Sequence, residues 1–161
     1  VGTIMTNQGF ENHLKNQGRE LLRTPVGDRH VSESLKKEEL TLGGEPSGHI
    51  MLRDFSETSD ALFTALRICE TATLLKDWSI QSFKKFPQKI WALKITEKKD
   101  LTTGNLATVL KETEDTLNGG RLLVRYSGTE PVLRVMIEAQ EEEQALLVGQ
   151  DLCNKLKKEL V

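Results

Sequence analysis

Two arginines flank a short polar turn in the sequence RYSGTEPVLR, which begins at Arg125 and ends at Arg134. The neighbouring segments, residues 122–126 and 132–137, alternate and are rich in branched apolar side chains, so we predict two strands joined in a hairpin. If the strands pair symmetrically about Thr129, Arg125 lies opposite Arg134. Like charges that face each other across a hairpin destabilise it unless an anion lies between them. The spacing therefore predicts an anion-binding site.

Phosphate suits this turn in particular. Successive backbone N–H groups around Gly128 would form a concavity for an anion, and the hydroxyl groups of Ser127 and Thr129 would add donors. An arginine guanidinium matches phosphate oxygens in a bidentate geometry. The alternative is an ordinary tight turn whose arginines are solvated.

A second polar cluster lies upstream in the sequence GGEPSGHI, residues 43–50. Its glycines would let a ligand approach the backbone. The Glu45 carboxylate can accept hydrogen bonds from two neighbouring hydroxyl groups, which suits a sugar. In an extended segment Glu45, Ser47 and His49 would point to the same side. Taken alone, the segment is more simply interpreted as a structural turn with a surface glutamate and a structural histidine.

The bulk composition is that of an ordinary soluble globular protein, with 37% hydrophobic residues. A net charge of -2, with both signs interspersed, offers no broad basic surface for nucleic acid and no polybasic membrane patch. Cys69 and Cys153 lie far apart and are accompanied by only 3 histidines, so neither a disulfide framework nor a zinc site is expected. No apolar run is long enough to cross a bilayer and no signal peptide is recognisable, so we expect a cytoplasmic protein.

The chain is predicted to contain two domains. Residues 1–77 alternate short strands with helices, which favours an α/β domain with a largely parallel sheet. Residues 89–161 follow the order strand, helix, two strands, helix, which is typical of an α+β domain with helices on one face of its sheet. Between them the regular pattern lapses over residues 78–88, and we predict a linker and hinge there.

The two polar clusters together resemble motifs of the α-D-phosphohexomutase superfamily. The run RYSGTEPVLRVMIEA is similar to the phosphate-binding loop in the last domain of these enzymes, and GGEPSGHI is similar to the sugar-binding loop of their third domain. The opening VGTIMTNQG and the segment TPVGDR, residues 24–29, match as well. Within the superfamily the motifs look most like those of the phosphoglucosamine mutases.

The resemblance implies a fold and a set of binding residues. The implied fold is a third-domain α/β type, with a mixed sheet and flanking helices, followed by a TATA-box-binding-protein-like antiparallel sheet with helices on one face. The residues implied to bind the sugar are Gly44, Glu45, Ser47 and His49. Those implied to hold the phosphate that is not being transferred are Arg125, Ser127, Gly128, Thr129 and Arg134.

Two further features follow from the resemblance. Arg29, in TPVGDR, would be an active-site cation that stabilises developing negative charge; the alternative is a turn arginine that pairs with Asp28 or a nearby acid. Where relatives usually carry TTGDG, residues 57–61 read ETSDA. Ser59 and Ala61 thus replace flexible glycines, which indicates helix initiation there.

The helix that follows is predicted over residues 58–75. The residues near one face of this amphipathic helix are Leu62, Leu66, Cys69 and Thr73. We expect the helix to pack on the sheet of the first domain.

The resemblance also implies parts that this sequence lacks. The family transfers a phosphoryl group from a serine loop and holds Mg²⁺ in an Asp-rich DGDxD loop, and neither motif occurs here. We therefore expect the C-terminal part of an enzyme that interconverts glucosamine 6-phosphate and glucosamine 1-phosphate. Without its N-terminal domains this part would bind phosphosugar but hold no metal and catalyse nothing. The alternatives are a phosphoglucomutase or phosphomannomutase, and a non-catalytic phosphosugar-binding module.

Overall fold

The computed structural model describes residues 1–79 and 83–160, and the chain divides into two compact units, Val1–Lys84 and Lys85–Val161. Residues 80–82, which belong to the predicted linker, lie outside the described part, and the hinge stays a prediction. No described helix has both the length and the apolar character that crossing a membrane requires.

The first unit is built from helices and very short strands. Its elements are β1 (Gly2–Thr3), α1 (Gln8–Asn16), β2 (Arg23–Thr24), α2 (Asp28–Lys37), β3 (Leu42–Gly44), β4 (Ile50–Leu52) and α3 (Ala61–Leu75). β1 pairs with β2 in parallel, and β3 pairs with β4 antiparallel. The pairing is mixed, as the resemblance implied, but the strands form separate two-stranded ladders and not the largely parallel sheet that the alternation favoured. Strands of 2 or 3 residues offer few positions at which a further strand could pair.

A small apolar core holds α2 against β3. Val31 and Leu35 lie one helical turn apart and are buried together with Met51. Gly43 in β3 lets the helix come this close, because a Cβ at that position would lie 2.6 Å from Val31 and 2.9 Å from Leu35. This packing brings the residues before α2 to the loop between β3 and β4.

Arg23 ties β2 to the beginning of α1. Its Nε and Nη2 donate to the Glu11 carboxylate at 3.0 and 2.8 Å. Its Nη1 donates to the carbonyl oxygens of Thr3 and Thr6. Partial burial alone raises the pKa of the Glu11 carboxyl, but hydrogen bonds from Lys15 and Arg23 outweigh it and hold the pKa below its ordinary value. The ion pair therefore contributes stability at neutral pH that is lost as the pH falls through the lowered pKa.

Helix α3 begins at Ala61, three residues after the predicted start at residue 58, and it packs differently from the prediction. Asp60 caps it by accepting the Phe63 N–H at 2.8 Å, which confirms helix initiation there. The face predicted to pack on the sheet is exposed instead: Leu62 is 73% and Leu66 is 61% accessible, and Cys69 and Thr73 are also exposed. The buried residues are Thr64 and Ala72. Because two steps along a helix turn the side chain by about 200°, Thr64 lies nearly opposite Leu62.

The second unit follows the predicted order of strand, helix, two strands and helix. Its elements are β5 (Gln88–Lys94), α4 (Gly104–Asp115), β6 (Arg121–Tyr126), β7 (Val132–Glu138) and α5 (Glu142–Leu160). The strands form an antiparallel sheet in the order β5-β7-β6. The expected α+β unit with an antiparallel sheet is therefore confirmed.

One face of this sheet carries the core. Leu133, Val135 and Ile137 alternate along β7 and are fully buried. They cluster with residues of both helices, namely Leu106, Ala145, Leu152 and Leu156. Because successive strand residues point to opposite faces, Arg134 projects from the other face of the sheet. The helices thus cover one face, as predicted, and the arginine lies on the other.

A buried ion pair closes the end of the hairpin away from the turn. Glu138 is fully buried and lies directly across from Arg121. Arg121 Nε and Nη2 both lie 3.1 Å from Glu138 Oε2, and Gln88 donates to Oε1 at 3.2 Å. Removing one partner of such a pair typically costs about 3–5 kcal/mol, because the other charge is left buried and unpaired. The pair therefore fixes the register of β6 against β7.

Gly149 allows α5 to lie against Trp91, and this contact is open to test. A Cβ at Gly149 would overlap the indole ring. We predict that Gly149→Ala lowers the free energy of unfolding by about 1–3 kcal/mol, since overpacking outweighs the roughly 1 kcal/mol that alanine gains over glycine in a helix. Urea denaturation measures the change. In a Trp91→Leu background the same substitution should cost less, and an equal cost in both backgrounds would contradict the contact.

Candidate functional site

The arginine-flanked turn closes the β6–β7 hairpin. Arg125 and Arg134 are register partners, as symmetric pairing predicted. Beyond the last strand pair, the Ser127 N–H donates to the Val132 carbonyl at 2.8 Å, and the Val132 N–H donates to the Glu130 carbonyl at 2.8 Å. These bonds shape the turn over residues 127–131 and hold the arginines on either side of it.

The two guanidinium groups are not equally compensated. Arg134 Nη2 lies 3.5 Å from Glu130 Oε2, and both side chains are about half exposed. The Arg125 side chain has no hydrogen-bond or ion-pair partner among residues 1–79 and 83–160. Like charges on directly opposed strand residues repel each other, and the repulsion is stronger in less polar surroundings than in water. An anion between them would relieve this repulsion.

The turn is restrained at the buried Ser127 and exposed at Gly128 and Thr129. Ser127 is only 4% exposed, and its hydroxyl oxygen accepts the Thr129 N–H at 3.4 Å. A Cβ at Gly128 would meet nothing within 4 Å, and the φ of Gly128 is not positive. Neither crowding nor backbone conformation therefore requires glycine at position 128. Close approach of a ligand to the backbone would require it.

A segment after β5 is bonded to the same end of the hairpin. The Tyr126 hydroxyl donates to the Lys99 carbonyl at 2.7 Å and accepts the Lys99 N–H at 2.9 Å. Lys98 Nζ lies 5.7 Å from the centre of the Tyr126 ring and 3.5 Å from the Ser127 carbonyl oxygen. Sequence reasoning missed Lys98, because adjacent lysines after a strand are typical of a solvated loop. The contacts with Tyr126 and the hydrogen bond from the Ile95 N–H to the Pro131 carbonyl bring this segment to the turn.

The glycine-rich segment forms a tight loop between β3 and β4. The Glu45 N–H donates to the His49 carbonyl at 2.9 Å, and a Cβ at Gly44 would lie 3.1 Å from that carbonyl oxygen. The Ser47 hydroxyl lies 3.0 Å from His49 Nδ1, and this nitrogen lies 3.7 Å from Glu45 Oε2. The loop brings the Glu45, Ser47 and His49 side chains together through a turn with a positive φ at Gly48, and not through the alternation of the extended segment on which the prediction depended.

The Glu45 carboxylate is held by a second segment of the chain. Its side chain is 7% exposed, and its Oε1 accepts the Gly27 N–H at 2.9 Å. Gly27 precedes α2 with a φ of 127°, a conformation that glycine adopts far more readily than other residues. The sequence offered no direct signal of this bond, because its partners lie in separate motifs. A carboxylate fixed through one oxygen can present the other to ligand hydroxyl groups.

Arg29 is exposed and paired within α2. Its Nε donates to Glu33 Oε1 at 2.7 Å, and 83% of its side chain is accessible. This hydrogen bond raises the pKa of the Arg29 guanidinium and lowers the pKa of the Glu33 carboxyl. The Arg29 N–H donates to the Asp28 carboxylate at 2.7 Å. The structure thus shows pairing with nearby acids, and a role for Arg29 in catalysis stays a prediction.

Family models match both units. The model described as phosphoglucomutase/phosphomannomutase, alpha/beta/alpha domain III, matches residues 1–89 of the 161. This chain belongs to that family. The model of the family's C-terminal domain matches residues 92–155. The glycine-rich loop lies in the first match and the arginine-flanked turn in the second.

Curated relatives named phosphoglucosamine mutase are similar over most of the chain. The protein of Staphylococcus haemolyticus (strain JCSC1435) is 37% identical in a match that covers 99% of this chain and 37% of the relative. That of Anoxybacillus flavithermus (strain DSM 21510 / WK1) is 42% identical over 148 residues, which cover 89% of this chain and 33% of the relative. The chain thus spans about a third of the length of the curated relatives it matches.

The fold is shared with solved phosphohexomutases. N-acetylphosphoglucosamine mutase of Aspergillus fumigatus, in complex with GlcNAc-6P and magnesium, matches with a TM-score of 0.77 over 98% of this chain and 38% of its own. The sequence identity is 16%, so this likeness establishes the fold alone. The fold class that the resemblance implied is therefore confirmed.

We predict that phosphate stabilises the chain through the opposed arginines. Inorganic phosphate should raise the melting temperature more than chloride does at equal ionic strength. At a concentration ten times its Kd, the bound anion would add about 1.4 kcal/mol to the free energy of unfolding. Thermal denaturation followed by circular dichroism measures the difference between the two salts.

The matched variants for this test are Arg125→Ala and Arg19→Ala. The first should abolish the advantage of phosphate over chloride without destabilising the hairpin in phosphate-free buffer, because a like-charge repulsion is lost. The second removes an exposed arginine of the other unit and should leave the advantage intact. An unchanged phosphate effect in Arg125→Ala would show that the turn is not the anion site.

Proposed function

We propose that this chain supplies the sugar and phosphate recognition of a cytoplasmic phosphoglucosamine mutase. Such an isomerase interconverts glucosamine 6-phosphate and glucosamine 1-phosphate through a phosphoserine and a bisphosphate intermediate. The observation that carries the proposal is the opposed pair of Arg125 and Arg134 at a glycine-containing turn. The names of the curated relatives that match most of the chain support the choice of substrate.

The turn would hold the phosphate that is not being transferred. Arg125 and Arg134 would each donate paired hydrogen bonds to phosphate oxygens, and the backbone N–H of Gly128 would add a donor. The hydroxyl groups of Ser127 and Thr129 complete the set. These groups recognise the phosphate and no feature of the sugar, so the same site would accept a phosphate on either end of a reorienting bisphosphate.

The loop between β3 and β4 would bind the sugar. Glu45 Oε2 would accept hydrogen bonds from sugar hydroxyl groups, since Oε1 is already engaged by the Gly27 N–H. His49, whose Nδ1 lies 3.7 Å from that oxygen, and Ser47, whose hydroxyl lies beside the histidine, would add polar contacts. Gly44 would let the ring approach the backbone. Because hydroxyl stereochemistry decides which of these bonds form, the loop would discriminate between sugars.

Neither the arginine-flanked turn nor the loop between β3 and β4 would carry out the phosphoryl transfer itself. In the proposed reaction Arg29 would stabilise negative charge, which requires its guanidinium to leave Glu33. The described residues contain no group of three or more His, Cys, Asp or Glu side chains that could hold a metal ion, so they do not fit Mg²⁺. The magnesium named for the Aspergillus protein would therefore be bound, in the complete enzyme, by residues beyond these.

A second candidate is a phosphoglucomutase or phosphomannomutase. The matching family models carry that description, which favours this alternative over an unrelated phosphosugar enzyme. The arginine-flanked turn would serve all of these reactions equally, because it contacts only phosphate. The loop around Glu45 must therefore distinguish the candidates.

We predict that Glu45→Gln weakens binding of glucosamine 6-phosphate by roughly ten- to a hundredfold, the range expected for losing hydrogen bonds to a charged acceptor. Isothermal titration calorimetry with glucosamine 6-phosphate, glucose 6-phosphate and mannose 6-phosphate measures affinity and preference. Glu20→Gln, which removes an exposed carboxylate of the same unit, is the control and should bind as tightly as the parent chain. Equal affinities for Glu45→Gln and Glu20→Gln would refute the assignment of the sugar loop.

A chimera tests catalysis. The matched third of the Staphylococcus haemolyticus mutase is replaced by this chain, and we predict that the chimera interconverts the two glucosamine phosphates. Arg125→Ala in the chimera should lower kcat/KM at least roughly tenfold, as expected for losing a charge-assisted bidentate contact. A clear preference for glucose 1-phosphate would favour the second candidate. A folded chimera that binds phosphosugar without turnover would point to a non-catalytic binding module.

A further inference from the structure

Lys98 occupies a position that the proposed phosphate-binding set leaves unexplained. Its ammonium lies 3.5 Å from the Ser127 carbonyl oxygen and 5.7 Å from the centre of the Tyr126 ring. The backbone of Lys99, the next residue, exchanges two hydrogen bonds with the Tyr126 hydroxyl. The segment is thus bonded to the strand end that leads into the turn, and this anchoring sets where the Lys98 ammonium lies.

The direction of one peptide group follows from this contact. A trans peptide is planar, and its C=O and N–H bonds point in opposite directions. The structure contains no cis peptide bond among the described residues. Because the Ser127 carbonyl points to Lys98, the Gly128 N–H of the same peptide points away from it. The Gly128 N–H therefore lies on the side of this peptide away from Lys98.

This peptide needs an external restraint. Glycine reaches far more backbone conformations than other residues, so the peptide that precedes Gly128 is easily rotated. A side chain at this position would have no neighbour within 4 Å, so packing does not restrain it. The hydrogen bonds of Ser127 N–H and Thr129 N–H hold the turn on either side of this peptide but not the peptide itself. Lys98 supplies that restraint.

We propose that Lys98 is a positioning residue of the phosphate turn, which holds the Ser127 carbonyl so that the Gly128 N–H faces the bound phosphate. The inference rests on the proposed function of the turn. The ammonium also polarises the peptide, which makes the Gly128 N–H a stronger donor to an anion. Lys98 thus favours phosphate binding without touching the phosphate.

The experiment compares Lys98→Met with Lys99→Met in the full chain. Both variants lose one positive charge from the same segment, but the Lys99 ammonium donates to the Glu159 carbonyl at 2.6 Å and not to the turn. Calorimetric titration with glucosamine 6-phosphate should give a Kd that is roughly three- to tenfold weaker for Lys98→Met, the range for one modest hydrogen bond. Lys99→Met should bind like the parent chain.

A nuclear magnetic resonance titration with inorganic phosphate reports on the Gly128 amide directly. In the parent chain its resonance should shift strongly on saturation with phosphate. The shift should shrink in Lys98→Met and return in Lys98→Arg, which restores a charged donor. Lys98→Gln keeps a neutral donor, so its phosphate-induced shift of the Gly128 resonance should lie between those of Lys98→Met and Lys98→Arg. This variant replaces Lys98→Met in the test if the latter is unstable.

The outcomes separate this inference from the proposed function. One outcome is that Arg125→Ala abolishes phosphate binding while Lys98→Met and Lys99→Met bind phosphosugar with equal affinity. That result would support the arginine-flanked turn as the phosphate site and refute the role of Lys98. Equal weakening by both lysine variants would also refute it, because that result indicates a general charge effect. If Arg125→Ala binds phosphate normally, the proposed function of the turn is refuted, and the role of Lys98, which rests on it, is refuted as well.

Discussion

The register of the β6–β7 hairpin is the constraint on which the second unit depends. Arg121 and Arg125 lie on one face of β6, and Arg134 and Glu138 lie on the same face of β7, so the register that pairs Arg121 with Glu138 also opposes the other two arginines. A shift by one residue would turn the core side chains of β7 to the outer face. The buried ion pair and the core therefore maintain a like-charge contact that the hairpin alone would avoid.

The first unit positions its carboxylate by a similar dependence on packing. Gly43 admits α2 to the surface of β3, the helix brings Gly27 to the loop, and the Gly27 N–H engages Glu45. Removing a carboxylate from water without partners is costly, and this bond offsets part of that cost. Oε1 accepts the Gly27 N–H, and Oε2 lies 3.7 Å from His49 Nδ1, beyond hydrogen-bond distance, so the side chain is both fixed and able to accept further hydrogen bonds. A larger residue at Gly43 would meet Val31 and Leu35 of α2 and would thus displace the polar loop.

The sequence was most informative where an interaction is local. Alternation and turn chemistry predicted the hairpin and the facing arginines, and the loss of two glycines predicted helix initiation within residues 57–61, where Asp60 caps α3. The exposed face of α3 could not be predicted, because periodicity defines a face but not what covers it. The Gly27–Glu45 bond and the position of Lys98 depend on contacts between separate segments. Neither residue spacing nor composition encodes such contacts in a single sequence.

The two polar clusters differ in what they can discriminate, and this difference follows from their donors and acceptors. Guanidinium and backbone N–H groups recognise the charge and oxygens of a phosphate, and a phosphate presents nearly the same oxygens from any attachment point. A fixed carboxylate accepts hydrogen bonds only from hydroxyl groups in particular positions. A reaction that presents one sugar in two orientations needs tolerance at the phosphate and selectivity at the ring. Under the proposed function, substrate preference would therefore diverge through the loop around Glu45, whereas the opposed arginines would serve every reaction of this kind.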